Sequence, residues 1–235
     1  MRQEYWTIAY NQNPAREINY LASNNPGGFH AWTLEEVEQF ENAHPVGTKA
    51  YLAVALMMYG GCARSSDVAL LGRQNLTRDG RLRYTQFKNR KHSRVNIDVP
   101  VIDDLRQTLE ASPTSESTFL VTQFNQPFKS SKAFGNWFKK RCKEAGLPHC
   151  SAHGVRKVAA ARLAELGCSD HEIMAIGGWK TLKEVQRYAA SARKKVMSDS
   201  AMDSQQVVSI CCVCGRFSEA RHRKYRISLP IGLWA

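Results

Sequence analysis

The chain has 235 residues, 43% of them hydrophobic and 23% charged, a balance that excludes wholesale disorder and supplies apolar surface for one large domain or two small ones. Its 33 Lys and Arg against 21 Asp and Glu leave a net charge of +12, which points to a polyanionic partner, nucleic acid ahead of an anionic membrane. The longest apolar patch, Tyr51 to Tyr59, is too short to span a bilayer, and MRQEYWTIAY lacks the basic start and apolar centre of a signal peptide, so a cytoplasmic protein with no membrane partner is expected.

Residues 1–30 read as a linker: a short aromatic helix around Glu4 to Tyr10, then the breakers Asn13-Pro14 and the Asn24 to Gly28 cluster. Thr33-Leu34-Glu35-Glu36 has the spacing of a capping box and predicts a first helix. Thr48 to Tyr59 predicts a buried helix stopped at Gly60-Gly61, with Arg64 just past the stop and Ser65 or Ser66 capping a short helix beyond it. Leu82 to Gln86 and Arg94 to Val99 alternate with period two and predict a hairpin whose tip is the basic stretch Lys88 to His92.

Residues 101–111 and 131–145 read as helices, with Thr118 to Thr122 a short strand between them. Alanine-rich Gly154 to Leu166 stops at Gly167, and further capping boxes at Ser169 and Thr181 open two more helices. After about Ser198 the periodicity fades into a basic, cysteine-containing tail, 199–235. Seven cysteines at irregular spacing favour free thiols over a disulfide framework, and Cys211, Cys212 and Cys214 with His222 lack the second CxxC or HxxxH that would complete a zinc site.

Six residues can handle a phosphodiester: Arg64, Lys88, His153, Arg156, Trp179 and Tyr188. His153 and Arg156 share the face of a helix start, where the backbone adds positive potential. Taken singly, each has a plainer reading. His153 could cap and Arg156 could be solvated; Tyr188 sits beside the apolar face defined by Leu182, Val185, Ala189 and Ala192, and Trp179 could simply pack.

Together, GCARSSDVALL, SAHGVRKVAAARLAELG and EIMAIGGWKTLKEVQRYA resemble, in that order, the catalytic domain of the tyrosine recombinases, particularly phage and genomic-island integrases, over roughly residues 29–198. The resemblance implies an α+β, mainly helical fold with a small antiparallel hairpin: a linker and core-binding remnant at 1–30, a catalytic domain at 31–198 and an atypical tail. It places the two catalytic arginines on Arg64 and Arg156, the histidine on His153, the His-or-Trp position on Trp179, the nucleophile on Tyr188 and an orienting carboxylate on Asp67, which alone would read as a helix-start acid.

The hairpin lysine falls on Lys88, with Arg90 and Lys91 as neighbours in the same hairpin; Arg90, Lys91, Lys157 and Lys180 are further candidates for DNA contact. Cys62 stands where relatives commonly carry glycine. The implied reaction is attack by Tyr188 on double-stranded DNA to give a 3′-phosphotyrosyl link, reversed by a 5′-hydroxyl to integrate or excise a mobile element. It needs no cofactor or metal, and the sequence has neither a glycine-rich phosphate loop nor a two-metal carboxylate cluster.

Implied partners are a synaptic homotetramer and an accessory directionality protein, in a bacterial, nucleoid-associated setting. A non-catalytic DNA-binding remnant is the alternative. The geometric expectation is that Arg64, His153, Arg156, Trp179 and Tyr188 converge on one basic depression with Lys88 at its rim.

Overall fold

The computed structural model describes residues 28–88 and 93–214, with the backbone alone for 204–214. The expected helix at Glu4 to Tyr10, the hairpin-tip residues Arg90 and Lys91, and His222 of the tail lie outside the described residues. Helix α1 (Leu34–Ala43) begins at the Thr33 capping box: the Glu36 amide donates to the Thr33 hydroxyl at 3.2 Å, and the Glu36 carboxylate accepts from the Thr33 amide at 2.8 Å. Such a cap contributes about 1 kcal/mol. Its buried residues Val37 and Phe40 face an aromatic cluster in which Phe40 lies 5.4 Å from both Trp32 and Phe138.

Helix α2 (Lys49–Tyr59) is buried on nearly every side, as its unbroken apolar run requires. The chain then turns through Gly61 and Cys62, both at positive φ, into the short helix α3 (Ser65–Val68). Arg64 itself occupies the N-cap position, without a side-chain cap bond, in place of the serine cap expected there. A single 3-10 turn, Arg73–Asn75, leads to β1 (Arg81–Thr85), which pairs antiparallel with β2 (Asn96–Pro100) in the register Leu82 to Val99 and Tyr84 to Ile97. Those four side chains are buried, while Asp98 on the outer face bonds Arg81 and Arg83 at 2.6 and 2.9 Å.

Helices α4 (Asp103–Ala111), α5 (Ser131–Glu144), α6 (Ala152–Glu165), α7 (Asp170–Gly177) and α8 (Leu182–Cys214) complete the fold. The strand expected at Thr118 to Thr122 is absent. Val121 makes only an isolated bridge to Pro127, and proline has no N–H with which to extend a ladder. Nor does the helix fade at Ser198: α8 continues to Cys214, and its stretch 194–203, exposed throughout, buries no face that would impose an apolar periodicity.

Helix α6 is the pivot, packing on α2 on one side and α8 on the other through Val155, Val158, Ala159 and Ala160. A segment before α1, residues 28–32, straps across its start. The Trp32 indole donates to the Ser151 carbonyl at 2.9 Å, and Gly154 admits the strap, since a Cβ there would lie 2.3 Å from the His30 carbonyl oxygen. Among the described residues Cys62, Cys142, Cys150 and Cys168 are free thiols, and no helix is long and apolar enough to cross a membrane.

Candidate active site

Arg64, Lys88, His153, Arg156, Trp179 and Tyr188 all line one depression of about 630 Å³, together with Lys157, Phe29 and Glu184. Seven segments meet there: the strap, the α3 start, the residues just after β1, the α5 start, the α6 start, the α7–α8 loop and α8. Asp67 lies behind the wall, Lys180 borders a smaller adjoining hollow with Arg64 and Lys88, and Tyr188 lies on the ridge towards a larger groove along α8.

Arg156 is buried, yet its guanidinium is held at two backbone carbonyls, donating through Nη1 to Cys62 and through Nη2, at 2.9 Å, to Gly177. The Trp179 ring lies under it, 4.0 Å from centroid to Cζ. Burial, then the neighbouring Arg64 charge, push Arg156 down to about 10, so it remains a cation at neutral pH. Guanidinium has more N–H groups than these two bonds use, which leaves donors for an anion.

Arg64 is tied to the same place by Gln86. Its Nη1 donates to Gln86 Oε1, and Gln86 Nε2 donates at 2.9 Å to the Gly177 carbonyl that also receives Arg156. Gln86 is buried and was no part of the sequence-derived set. Its signal was nevertheless there: it continues the inward phase of Leu82 and Tyr84, a polar residue at a position the alternation reserves for the core.

The GGW motif now has a steric reason. A Cβ on Gly177 would lie 2.0 Å from the Trp179 ring, and Gly178 closes α7 at φ 64° in the left-handed region. Cys62, at φ 48°, occupies that region without being glycine, which accounts for the glycine commonly found there; its carbonyl is the one Arg156 grips.

Asp67 is buried and accepts from the Phe87 amide at 2.7 Å, so its carboxylate pins the end of the Gln86-to-Lys88 segment to α3. Burial raises its pKa against the lowering pull of that amide and of Arg64. His153 stacks on Phe29 at 4.5 Å; partial burial, then the charges of Lys157 and Lys88, hold its pKa below the usual histidine value.

Tyr188 is half-buried, with its ring 6.1 Å from Trp179 and the Lys157 ammonium 5.9 Å from its centroid. Lys157 also donates to the Phe29 carbonyl, and Lys180 donates to Ser93 Oγ. Lys88 is exposed at the rim.

A two-stranded hairpin set against a helical body, with two arginines bracketed around one cleft and a helical tyrosine at its edge, defines the catalytic-domain class of the tyrosine recombinases. The chain belongs to the Phage integrase family, whose family model matches residues 32–195. Among solved structures it is similar to XerA recombinase (TM-score 0.60, 15% identity, covering 73% of this chain and 65% of that one). It is also similar to a lambda integrase dimer, residues 75–356, bound to a COC′ core site (TM-score 0.60, 23% identity, 79% and 68%), and to the Tn1549 transposon integrase with transposon right end DNA (TM-score 0.56, 13% identity, 80% and 71%). The chain thus spans about two thirds of the length of these structures. A comparison with curated proteins found no match.

Proposed function

We propose that the chain cuts and rejoins double-stranded DNA by transesterification at Tyr188, as the catalytic part of an integrase that moves a mobile element. One observation carries the reading: two arginines, a histidine, a lysine and a tyrosine from distant segments line a single depression. Arg64 and Arg156 are permanent cations whose fork geometry suits the non-bridging oxygens of a phosphodiester, where charge accumulates in the transition state.

Tyr188 Oη attacks phosphorus, the bond from phosphorus to the 5′ oxygen breaks, and a 3′-phosphotyrosyl ester forms. The phenolic proton passes to neutral His153 or to water, and Lys88 protonates the departing 5′ oxygen. Trp179 supports Arg156 from below, a role consistent with their stacking. Because the ester keeps the bond energy, the reverse attack by another strand's 5′-hydroxyl needs neither ATP nor a metal.

The lambda and Tn1549 integrases are described as bound to DNA, the lambda enzyme as a dimer on a core site and as a tetramer on a Holliday junction. The same mode is proposed here: double-stranded DNA held by phosphate contacts, in a homotetramer when synapsed and with an accessory protein setting direction, in the bacterial cytoplasm.

The test is incubation with a nicked suicide substrate in EDTA. A covalent protein–DNA adduct is expected, lost in Tyr188→Phe at unchanged DNA affinity; an adduct that survives Tyr188→Phe overturns the nucleophile. DNA binding without adduct by the parent chain identifies a binding remnant instead. Affinity should fall steeply with salt in either case.

A further inference from the structure

Outside the residues that line the depression, three segments before and beside the α6 start bring four metal-ligating side chains together. His30 comes from the strap, Glu36 from the first turn of α1, and His149 and Cys150 from the turn that precedes α6. One donor atom from each lies within 4.8 Å of all the others. We propose that His30, Glu36, His149 and Cys150 form a structural zinc site that clamps the strap to the start of the catalytic helix.

Each donor is already turned inward. Both histidines present Nε2 to the same carboxylate: His30 at 3.0 Å from Oε1 and 2.8 Å from Oε2, His149 at 2.5 Å from Oε1, with the two rings edge to face at 4.8 Å. Glu36 Oε2 is also taken by the Thr33 amide at 2.8 Å. That leaves Oε1 as the ligand oxygen and fixes the carboxylate's orientation, the kind of outer support that zinc ligands regularly have.

Two imidazoles, one carboxylate and one thiolate are all standard zinc donors, and tetrahedral bonds of about 2.0–2.3 Å would set them roughly 3.3–3.8 Å apart. The histidine–carboxylate contacts of 2.5–3.0 Å would have to open to about 3.3 Å, and the widest separation, 4.8 Å, to close by about 1–1.5 Å. The two histidines can supply these movements, since their side chains are 40% and 52% exposed and open to solvent, whereas Cys150 is fixed in the core. Zinc displaces one proton from the thiol to solvent; the dication, one carboxylate and one thiolate then sum to zero charge, so the buried sulfur carries no net cost of isolated charge.

The clamp would act at a distance from the phosphate. Phe29, one residue before His30, stacks on His153, and the Phe29 carbonyl accepts from Lys157. Fixing His30 and His149 to one ion fixes both ends of that contact. No ligand belongs to the catalytic set, and the clamp stands or falls independently of whether Tyr188 attacks DNA.

The experiment is zinc binding by the full chain, titrated against a chromogenic chelator, with cobalt substitution as the spectroscopic probe. One tight equivalent is expected, with tetrahedral d–d bands, a thiolate-to-cobalt charge-transfer band, and a raised melting temperature. His30→Ala with His149→Ala should weaken that equivalent at least 100-fold, and Cys150→Ser should remove the charge-transfer band.

The control is Cys211→Ser, Cys212→Ser and Cys214→Ser together, which should keep the tight equivalent. If that triple variant abolishes it, or if the paired histidine variant binds zinc as tightly as the parent, the site is overturned. Should Cys150→Ser prove unstable, the histidine variants, whose targets are exposed, still decide the matter by stoichiometry and by hydrogen exchange of the strap.

Discussion

The two sides of the depression are built by opposite means. On one side Arg156 is buried, stacked on Trp179 and fastened to two backbone carbonyls; on the other Lys88 stands exposed just after β1, next to the hairpin tip. Groups that neutralise charge work best when they need not reorganise, whereas a proton donor has to approach a leaving oxygen and withdraw. The contrast predicts that substitutions on the two sides will separate stability from chemistry.

The largest effect belongs to Arg156→Lys. A lysine cannot span the Cys62 and Gly177 carbonyls and lie flat on Trp179, so adduct formation should fall by about 10³-fold, as for loss of a preorganised transition-state donor, and stability by roughly 1–3 kcal/mol for buried carbonyls left unpaired. Thermal melting and single-turnover cleavage measure the two losses. A variant that loses activity while melting like the parent would show that the carbonyl bracket contributes nothing to the fold.

Lys88→Ala should be the reverse case. Cleavage should drop about 10²-fold, the range expected for one general acid, with stability within about 0.5 kcal/mol of the parent. A substrate whose 5′ leaving atom is sulfur, which departs without protonation, should restore most of the rate. If the sulfur substrate gives no recovery, the acid is another hairpin residue, such as Lys91.

Gln86→Leu and Gln86→Glu probe the link between the two sides. Leucine removes both bonds and should slow cleavage about tenfold while leaving DNA affinity nearly unchanged; glutamate keeps an acceptor for Arg64 but loses the donor to Gly177, and should recover part of the rate. Equal loss in both variants would make Gln86 a packing residue only.

The smallest effect is one of pH. His153 has a folded pKa below its unfolded value of about 6.5, so the unfolded chain takes up the proton more readily. Its contribution to stability is therefore fully present above about pH 6.5 and is lost as pH falls towards the folded pKa. An NMR titration of the His153 ring should give a midpoint below 6.5, moving upward when DNA phosphate occupies the depression. An upward shift in the free protein would contradict the sign.

Local chemistry made much of the fold legible. The boxes at Thr33 and Ser169, the glycine stop after Tyr59 and the alternation of Leu82 and Tyr84 against Ile97 and Val99 are each written within a few residues. What went unread is either featureless or remote. The α8 stretch 194–203 is exposed and buries no face, and Thr118 to Thr122 looked like a strand although the segment it bridges contains a proline.

Position along the chain likewise suggested the residues that line the depression, but not what braces them. Arg156 reaches a carbonyl 94 residues away and Gln86 one 91 away, and no periodicity carries that information. The zinc-ligand cluster is hidden for the same reason, since Glu36 and His149 are 113 residues apart.

The single carbonyl of Gly177 receives both Arg156 directly and Arg64 through Gln86. The two cations are thereby slung from one hook. A shift at the end of α7 therefore bears on both cations at once, while the Cys62 carbonyl gives Arg156 a second anchor that Arg64 does not share.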